Sequence, residues 1–411
     1  MTTATDTTTP TVTPSTPELE VHTDRATLAG ALTTVGVGLA RRPGVPTLGG
    51  VLLDGRDGDL TLTATDLETV ATVRVPDAVR TSGRLLIDHT EATKLLAALV
   101  KGERKRDADA APVTVRTTDD GTAVLDVGGY TMPVTTYRAA EFPTLPEAPP
   151  AVAEIDRERF TTDARRVLVA TGDDDTVPMV MGMQMRITPG TLTLAGTDRY
   201  RLAVATLAAT TAATEERAVL FPARKLSAAL KHCAADRVRL GQDAAGEWVS
   251  LTCGTLTVIT RPIDTQFPTV EELVPHAAVT ARADREALTH ATARAAAALE
   301  AKKHTARASH GQPTAAQVAL TVDPAGSVSL APVVREHADA VTAPAHPAEV
   351  DGLSEPVRVL FTASYLRDAL NTLDGDTVTV QLASPTRPVL LTGTDPDTYR
   401  HLLMPVRPPR S

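Results

Sequence analysis

Three carboxylates in a row, GDDD at residues 172–175, form the cluster in this chain most able to hold a metal ion. Calcium and magnesium take oxygen donors of this kind, but they need several more than one short run supplies. No partner motif accompanies GDDD, and an acidic loop after a helix is the simpler reading. His304 and His310 stand in a polar segment without ligand spacing and read as surface residues. Cys233 and Cys253 fit neither a disulfide framework nor a CxxC pair, and read as small buried residues. HExxH, GxSxG and GxxxxGK[ST] are all missing. What remains is an enzyme that would use the Asp cluster and the Arg199–Arg201 segment on a small acidic substrate. It would need saturable turnover, and metal-dependent activity lost on changing Asp174 would support it. The sequence names no cofactor.

The elements around these residues repeat. Asp24, Asp156 and Asp284 open DRATLAGALTTVGVGL, DRERFTTDARRVLVAT and DREALTHATARAAAAL. In each, the Asp is placed to cap a helix and to favour its positive dipole end. Leu28, Phe160 and Leu288 follow four residues later, and Val35, Val167 and Ala295 eleven later, so one buried helix stripe recurs. Strand-like pairs follow in LTLTATDLETVATVRV and TLTLAGTDRYRLAVATL, where Thr65-Asp66 and Thr197-Asp198 keep the same 132-residue separation as Asp24 and Asp156. A strand running into a second helix appears in LLIDHTEATKLLAALV, VLFPARKLSAALKH and VLFTASYLRDALNTL. EFPTLPEAP and QFPTVEELVP close two copies, and LLMPVRPP closes the third. The expected fold is α+β, with three tandem copies of two helices packed on antiparallel strands. Strands left free at both ends point to edge-to-edge continuation into a closed assembly.

Composition agrees with a multidomain globular chain: 411 residues, of which 42% are hydrophobic. The opening MTTATDTTTPTVTPSTPE lacks a basic start and an apolar segment, and is expected to be a disordered tail over 1–17 rather than a signal or anchor. No apolar run approaches a membrane span, so a cytoplasmic protein without membrane association is expected. The net charge of −9 argues against a simple basic nucleic-acid binder, unless the cations gather on one face.

In order and spacing, VPTLGGVLLDG (45–55), TATDLE (63–68), TDRYRLAV (197–204), both Phe-Pro turns and LLMPVRP (402–408) resemble the bacterial sliding clamps, the beta subunit of DNA polymerase III. The resemblance covers residues 18 to 411 and divides the chain into clamp domains at 18–150, 151–277 and 278–411. It implies a head-to-tail homodimer forming a ring, with helices lining a hole around duplex DNA and sheets forming the outer wall. A ring holds DNA by topology and needs only weak, sequence-independent phosphate contacts. In such a ring they should come from basic residues on the helices and adjoining loops, Arg41, Arg42, Lys94, Lys101, Arg165, Arg166, Arg224, Lys225, Lys302 and Lys303, of which Arg42 and the Arg224-Lys225 pair match basic positions of the family.

The family also implies a groove between the second and third domains where short linear motifs dock. Matched position by position, it is formed by Val180, Thr197, Arg199, Tyr200, Arg201 and Leu202, by Pro268 and Leu273, and by Leu402, Met404, Pro405, Val406 and Arg407. A mostly apolar pocket suits the Leu and Phe anchors of such peptides. The implied partners are the DNA polymerase III alpha subunit, a clamp-loader ATPase and other proteins with clamp-binding motifs. A separate loader is needed because this chain has no phosphate loop. The dimer interface would set Tyr130, Met132 and Val134 against Ala297 and Ala298. Clamps usually have a small residue and often His where this chain has Arg199 and Tyr200, and Arg or Gln where it has Glu272. The alternative is thus a specialised clamp whose altered groove excludes a ligand such as an antibiotic peptide, or a clamp-shaped interaction protein that no longer encircles DNA.

Overall fold

The computed structural model describes residues 19–40, 42–118, 122–212, 214–303, 316–334 and 341–407. The tail at 1–17, Arg41, the Lys303 side chain, His304 and His310 lie outside the described residues. The chain forms two compact units. One holds the first repeat with His232–Ala234 and Ser250–Thr260, and the other holds the rest of the second repeat with the third.

The three Asp residues cap as their positions predict. Asp24 accepts from the Thr27 amide at 2.8 Å, Asp156 from Arg159 at 2.9 Å and Asp284 from Ala287 at 2.6 Å. They open α1 (Arg25–Val35), α4 (Arg157–Leu168) and α7 (Arg285–Lys303). Every stripe residue, from Leu28 and Val35 through Phe160 and Val167 to Leu288 and Ala295, is buried. The second helices are α2 (His89–Ala98), α5 (Ala223–Ala229) and α8 (Ala363–Thr372). Two further short helices are α3 (Lys105–Asp109) and α6 (Val270–Leu273).

In the first unit, β1 (Glu20–Asp24), β5 (Val79–Thr81), β7 (Pro112–Thr117), β8 (Ala123–Val127) and β9 (Tyr130–Pro133) form a sheet in the order β5-β1-β7-β8-β9. A second layer runs β10 (Thr136–Tyr137), β6 (Gly83–Asp88), β2 (Gly50–Arg56), β3 (Asp59–Thr65) and β4 (Thr69–Val75). It is continued by β19 (Leu256–Thr260), the last strand of the second repeat, with Thr69 opposite Thr260.

The second unit contains a 12-stranded sheet. Its second-repeat strands are β16 (Arg217–Pro222), β12 (Gly182–Thr188), β13 (Thr191–Thr197) and β14 (Arg201–Ala208), in that order. The third repeat adds β27 (Tyr399–Leu403), β26 (Val389–Thr392), β25 (Thr377–Leu382), β20 (Val279–Asp284), β23 (Ala345–Asp351), β22 (Ser327–Pro332), β21 (Gln317–Asp323) and β24 (Val357–Thr362). The join between repeats is β14 against β27, with Arg201 opposite Leu403 and Leu202 opposite Leu402. Strand β11 (Ala151–Asp156) pairs with β15 (Thr210–Thr211) and β17 (Arg237–Gln242). Among the described residues, no helix is long and apolar enough to cross a membrane.

Candidate binding groove and basic helix faces

The turn between β13 and β14 is built by its own side chains. Thr197 Oγ1 donates to the Arg201 carbonyl at 2.8 Å and accepts from the Arg199 amide at 3.1 Å. Asp198 Oδ1 accepts from the amides of Tyr200 and Arg201 at 2.9 and 3.0 Å. These bonds hold Arg199 at φ +79°, in the left-handed region that favours glycine. Gly172, opening the acidic loop, packs against this turn. A Cβ there would meet Val180 Cγ2 at 2.9 Å and Asp198 Cβ at 3.4 Å.

Below the turn lies an apolar floor of Leu202, Val204, Ala195, Val270, Leu390 and Leu402, with Phe267 and Val274 packed against it. Of the other expected groove residues, Val180 and Pro405 are buried, while Pro268 and Val406 are half-buried. Tyr200, Leu273 and Met404 are exposed, at 54%, 40% and 40%, and so are Glu272 and Arg407. Met404 extends the strand pairing by donating its amide to Tyr200 O at 2.8 Å. Arg199 reaches Asp174 at 3.1 Å, and the Tyr200 ring stacks on Tyr365 of α8 with centroids 6.4 Å apart. Arg201 faces inward instead. Its side chain is 11% exposed and pairs with Asp198 at 2.9 Å and Asp368 at 2.8 Å, with the guanidinium 4.4 Å from the Tyr365 ring centre. The GDDD loop is likewise engaged with arginines, since Asp173 accepts from Arg224 at 3.0 Å and Asp174 from Arg199. Among the described residues, no group of three or more His, Cys, Asp or Glu is placed to hold a metal ion.

Family models for the N-terminal, central and C-terminal domains of the DNA polymerase III beta subunit match residues 19–146, 154–269 and 280–407. The beta sliding clamp of Synechococcus elongatus is 30% identical over 92% of this chain and 96% of its own length. That of Streptomyces coelicolor is 28% identical over 95% and 99%. A beta sliding clamp homolog from Streptomyces muensis, GriR, is 29% identical over 62% and 67%. The fold matches the Bacillus subtilis clamp at TM-score 0.82, with 18% identity over 95% of this chain and 100% of that one. It matches a Pseudomonas aeruginosa clamp bound to griselimycin at 0.80, with 22% identity over the same shares. The chain belongs to the DNA polymerase III beta subunit family, the bacterial sliding clamps.

As a clamp, the chain carries several of its expected phosphate-binding cations outward. Arg42, Lys94, Lys101, Arg165, Arg224 and Lys302 are exposed, and Lys225 is half-buried. Arg165 sits at the end of α4 and Arg224 in the first turn of α5. Arg166 is a correction. Its side chain is 13% exposed, it donates through Nη1 to fully buried Asp163 at 3.2 Å and through Nε to the Thr372 carbonyl, and it lies 4.0 Å from the Tyr399 ring centre. A guanidinium engaged in this way is not available to a phosphate.

Of the expected interface residues, Tyr130 and Met132 stand on the edge strand β9, 61% and 37% exposed, and Ala297 and Ala298 are exposed on α7. Val134 is the second correction. It is 6% exposed, and its amide donates to Ala123 O at 2.9 Å, so it belongs to the core of the first repeat.

A buried polar group on β27 was not legible from motifs. Tyr399 OH donates to Arg166 O at 3.1 Å and shares a 3.1 Å hydrogen bond with His401 Nδ1. Burial pushes the His401 pKa down to about 3, helped by the charge of Arg201. It therefore stays neutral. Burial also raises the pKa of Tyr399, and raises that of Asp163 against the pull of Arg159 and Arg166.

Proposed function

We propose that two copies close head-to-tail into a ring around duplex DNA. The ring would tether the DNA polymerase III alpha subunit and be opened by a separate clamp-loader ATPase. In this reading the chain does no chemistry of its own and works in the cytoplasm as a processivity factor. The supporting observation is the join itself: β4 against β19 and β14 against β27 are the same antiparallel edge pairing, and β9 offers one more exposed edge of that kind. The domains run 18–150, 151–277 and 278–411. Retention on closed circular DNA, with release on linearisation, is the expected result. Equal retention on both forms would defeat the ring. Arg42→Glu with Arg224→Glu is expected to weaken loading and leave the dimer intact. Sedimentation showing only monomer at micromolar concentration would reject the homodimer.

Partner peptides with Leu and Phe anchors dock on the Leu202–Val270–Leu402 floor. A second reading, a specialised clamp, is supported by the rim. Arg199 and Tyr200 put a cation and a phenol beside an apolar pocket, in a turn where the backbone favours glycine. Such a rim narrows entry and excludes some ligands while admitting others. A relative called GriR and a clamp solved with griselimycin fit this reading. Titration with a Gln-Leu-x-x-Phe peptide, before and after Arg199→Gly with Tyr200→His, tests it. A gain of about tenfold supports an exclusion rim, and equal affinity leaves an ordinary clamp.

A further inference from the structure

We propose that Arg166 is a positioning residue for the groove, a latch that holds β27 and α8 of the third repeat onto α4 of the second, and that it does not contact DNA. This rests on the groove reading above. The latch has two arms. One is the guanidinium face, 4.0 Å from the centre of the Tyr399 ring on β27, a desolvated cation–π contact. The other is the Nε bond to the carbonyl of Thr372, the last residue of α8, where a cation also meets the negative end of the helix dipole. The Arg166 carbonyl in turn accepts from Tyr399 OH at 3.1 Å, so the ring is held at its face and at its hydroxyl. Asp163 balances the charge from within α4 at 3.2 Å.

Strand β27 carries Leu402 into the groove floor and leads to Met404, whose amide bonds to Tyr200. A shift of β27 therefore moves both the floor and the rim. Arg201 repeats the pattern: an aspartate of its own repeat, Asp198, and an aspartate and a tyrosine of the third, Asp368 and Tyr365. The repeat fold does not itself demand these arginines. At the equivalent positions, 132 residues earlier, stand Thr34 and Thr69. They join their neighbours through hydroxyl bonds of 3.2 Å to His232 and 3.1 Å to Thr260. The charged latch belongs to the join that carries the groove.

The test uses the full-length chain with Arg166→Met, Arg166→Lys and Tyr399→Phe. It reads amide hydrogen exchange, affinity for a Gln-Leu-x-x-Phe peptide, and the salt dependence of retention on circular DNA, with Arg165→Met as the DNA comparison. For Arg166→Met, exchange over 363–372 and 399–404 is expected to rise at least tenfold while the first-repeat strands stay unchanged. Peptide affinity is expected to fall about tenfold at an unaltered salt slope. Lysine, a point charge without a planar face, is expected to rescue only part of this. If Arg166→Met does not fold, Tyr399→Phe carries the test, since it keeps the stacked ring and removes only the hydroxyl, and a smaller rise in the same segments is expected. Unchanged exchange over 399–404 in a folded variant would overturn the proposal, as would a salt slope reduced to match Arg165→Met. A wild-type chain that binds no peptide would sink the groove reading, and the exchange arm would then decide the latch by itself.

Discussion

Strand β4 meets β19 through neutral groups, whereas β14 meets β27 through charged and aromatic ones. At the first join, Thr69 and Thr260 share a hydroxyl bond, Thr34 bonds His232, and Leu256 and Val258 of β19 are buried. At the second, Arg201 and Arg166 stand in place of the two threonines, and β27 presents Tyr399 and His401. The same backbone pairing is thus closed in two ways. The neutral join depends on packing and a few hydroxyl bonds, each worth about 1 kcal/mol. The charged join adds groups that are costly to leave unpaired and that respond to pH and charge removal.

The largest expected effect that would break this contrast is on acid stability. His401 has a folded pKa of about 3, below the ordinary histidine value, so folding disfavours its protonation. Its contribution is fully present above the unfolded value near 6.5 and is lost as pH falls from there toward 3, on the order of 5 kcal/mol in full. Asp163 has the opposite sign: its raised pKa adds stability as pH falls through the folded value. Chemical denaturation at pH 7 and pH 4.5 should therefore show a net loss. His401→Val, which copies Val258 of the first join, should flatten that loss even if it lowers stability at pH 7. An unchanged pH slope in the variant would mean that another group sets it.

Next in size is Arg201→Thr, the residue that the first join carries as Thr69. It would leave Asp198 and Asp368 without the cation between them, at a cost of about 3 kcal/mol. The same measurement on Thr69→Val should give only about 1 kcal/mol, one hydroxyl bond. Equal losses at the two sites would erase the difference between the joins.

How far the sequence revealed this depends on the kind of signal. Caps and apolar stripes are local and periodic, so Asp24, Asp156, Asp284 and the residues behind them were legible. The TD turns were visible as a repeat. The Arg166 latch was not, because an Arg at the end of an amphipathic helix looks the same whether it faces solvent or a tyrosine 233 residues further on. Val134 misled for a related reason. It continues the alternation of Tyr130 and Met132, but the strand ends at Pro133 and the next side chain turns into the core. A signal did exist: laying the repeats over one another sets Arg166 on Thr34 and Arg201 on Thr69. A charge that replaces a hydroxyl at matched core-facing positions needs a partner, and Asp163, Asp368, Tyr365 and Tyr399 are those partners.

The smallest expected effect on stability comes from the two turns, which are nearly superimposable in their bonding. Thr65 Oγ1 donates to the Thr69 carbonyl at 2.9 Å as Thr197 does to Arg201, and Leu67 sits at φ +78° where Arg199 sits at +79°. Both positions hold a side chain where glycine would be more comfortable, by about 1 kcal/mol. Leu67 is 56% exposed, whereas Arg199 pairs with Asp174 in an exposed contact worth little. Leu67→Gly and Arg199→Gly should therefore each change the unfolding midpoint only slightly, toward greater stability. Peptide affinity is where they should part. Leu67→Gly is expected to leave it unchanged, while Arg199→Gly opens the rim and raises it severalfold, with Tyr200→His adding the remainder of the tenfold change. Because the backbone tolerates glycine at both turns, that difference can be assigned to the side chain at the rim rather than to damage to the fold. A gain from Leu67→Gly as large as that from Arg199→Gly would detach the effect from the groove.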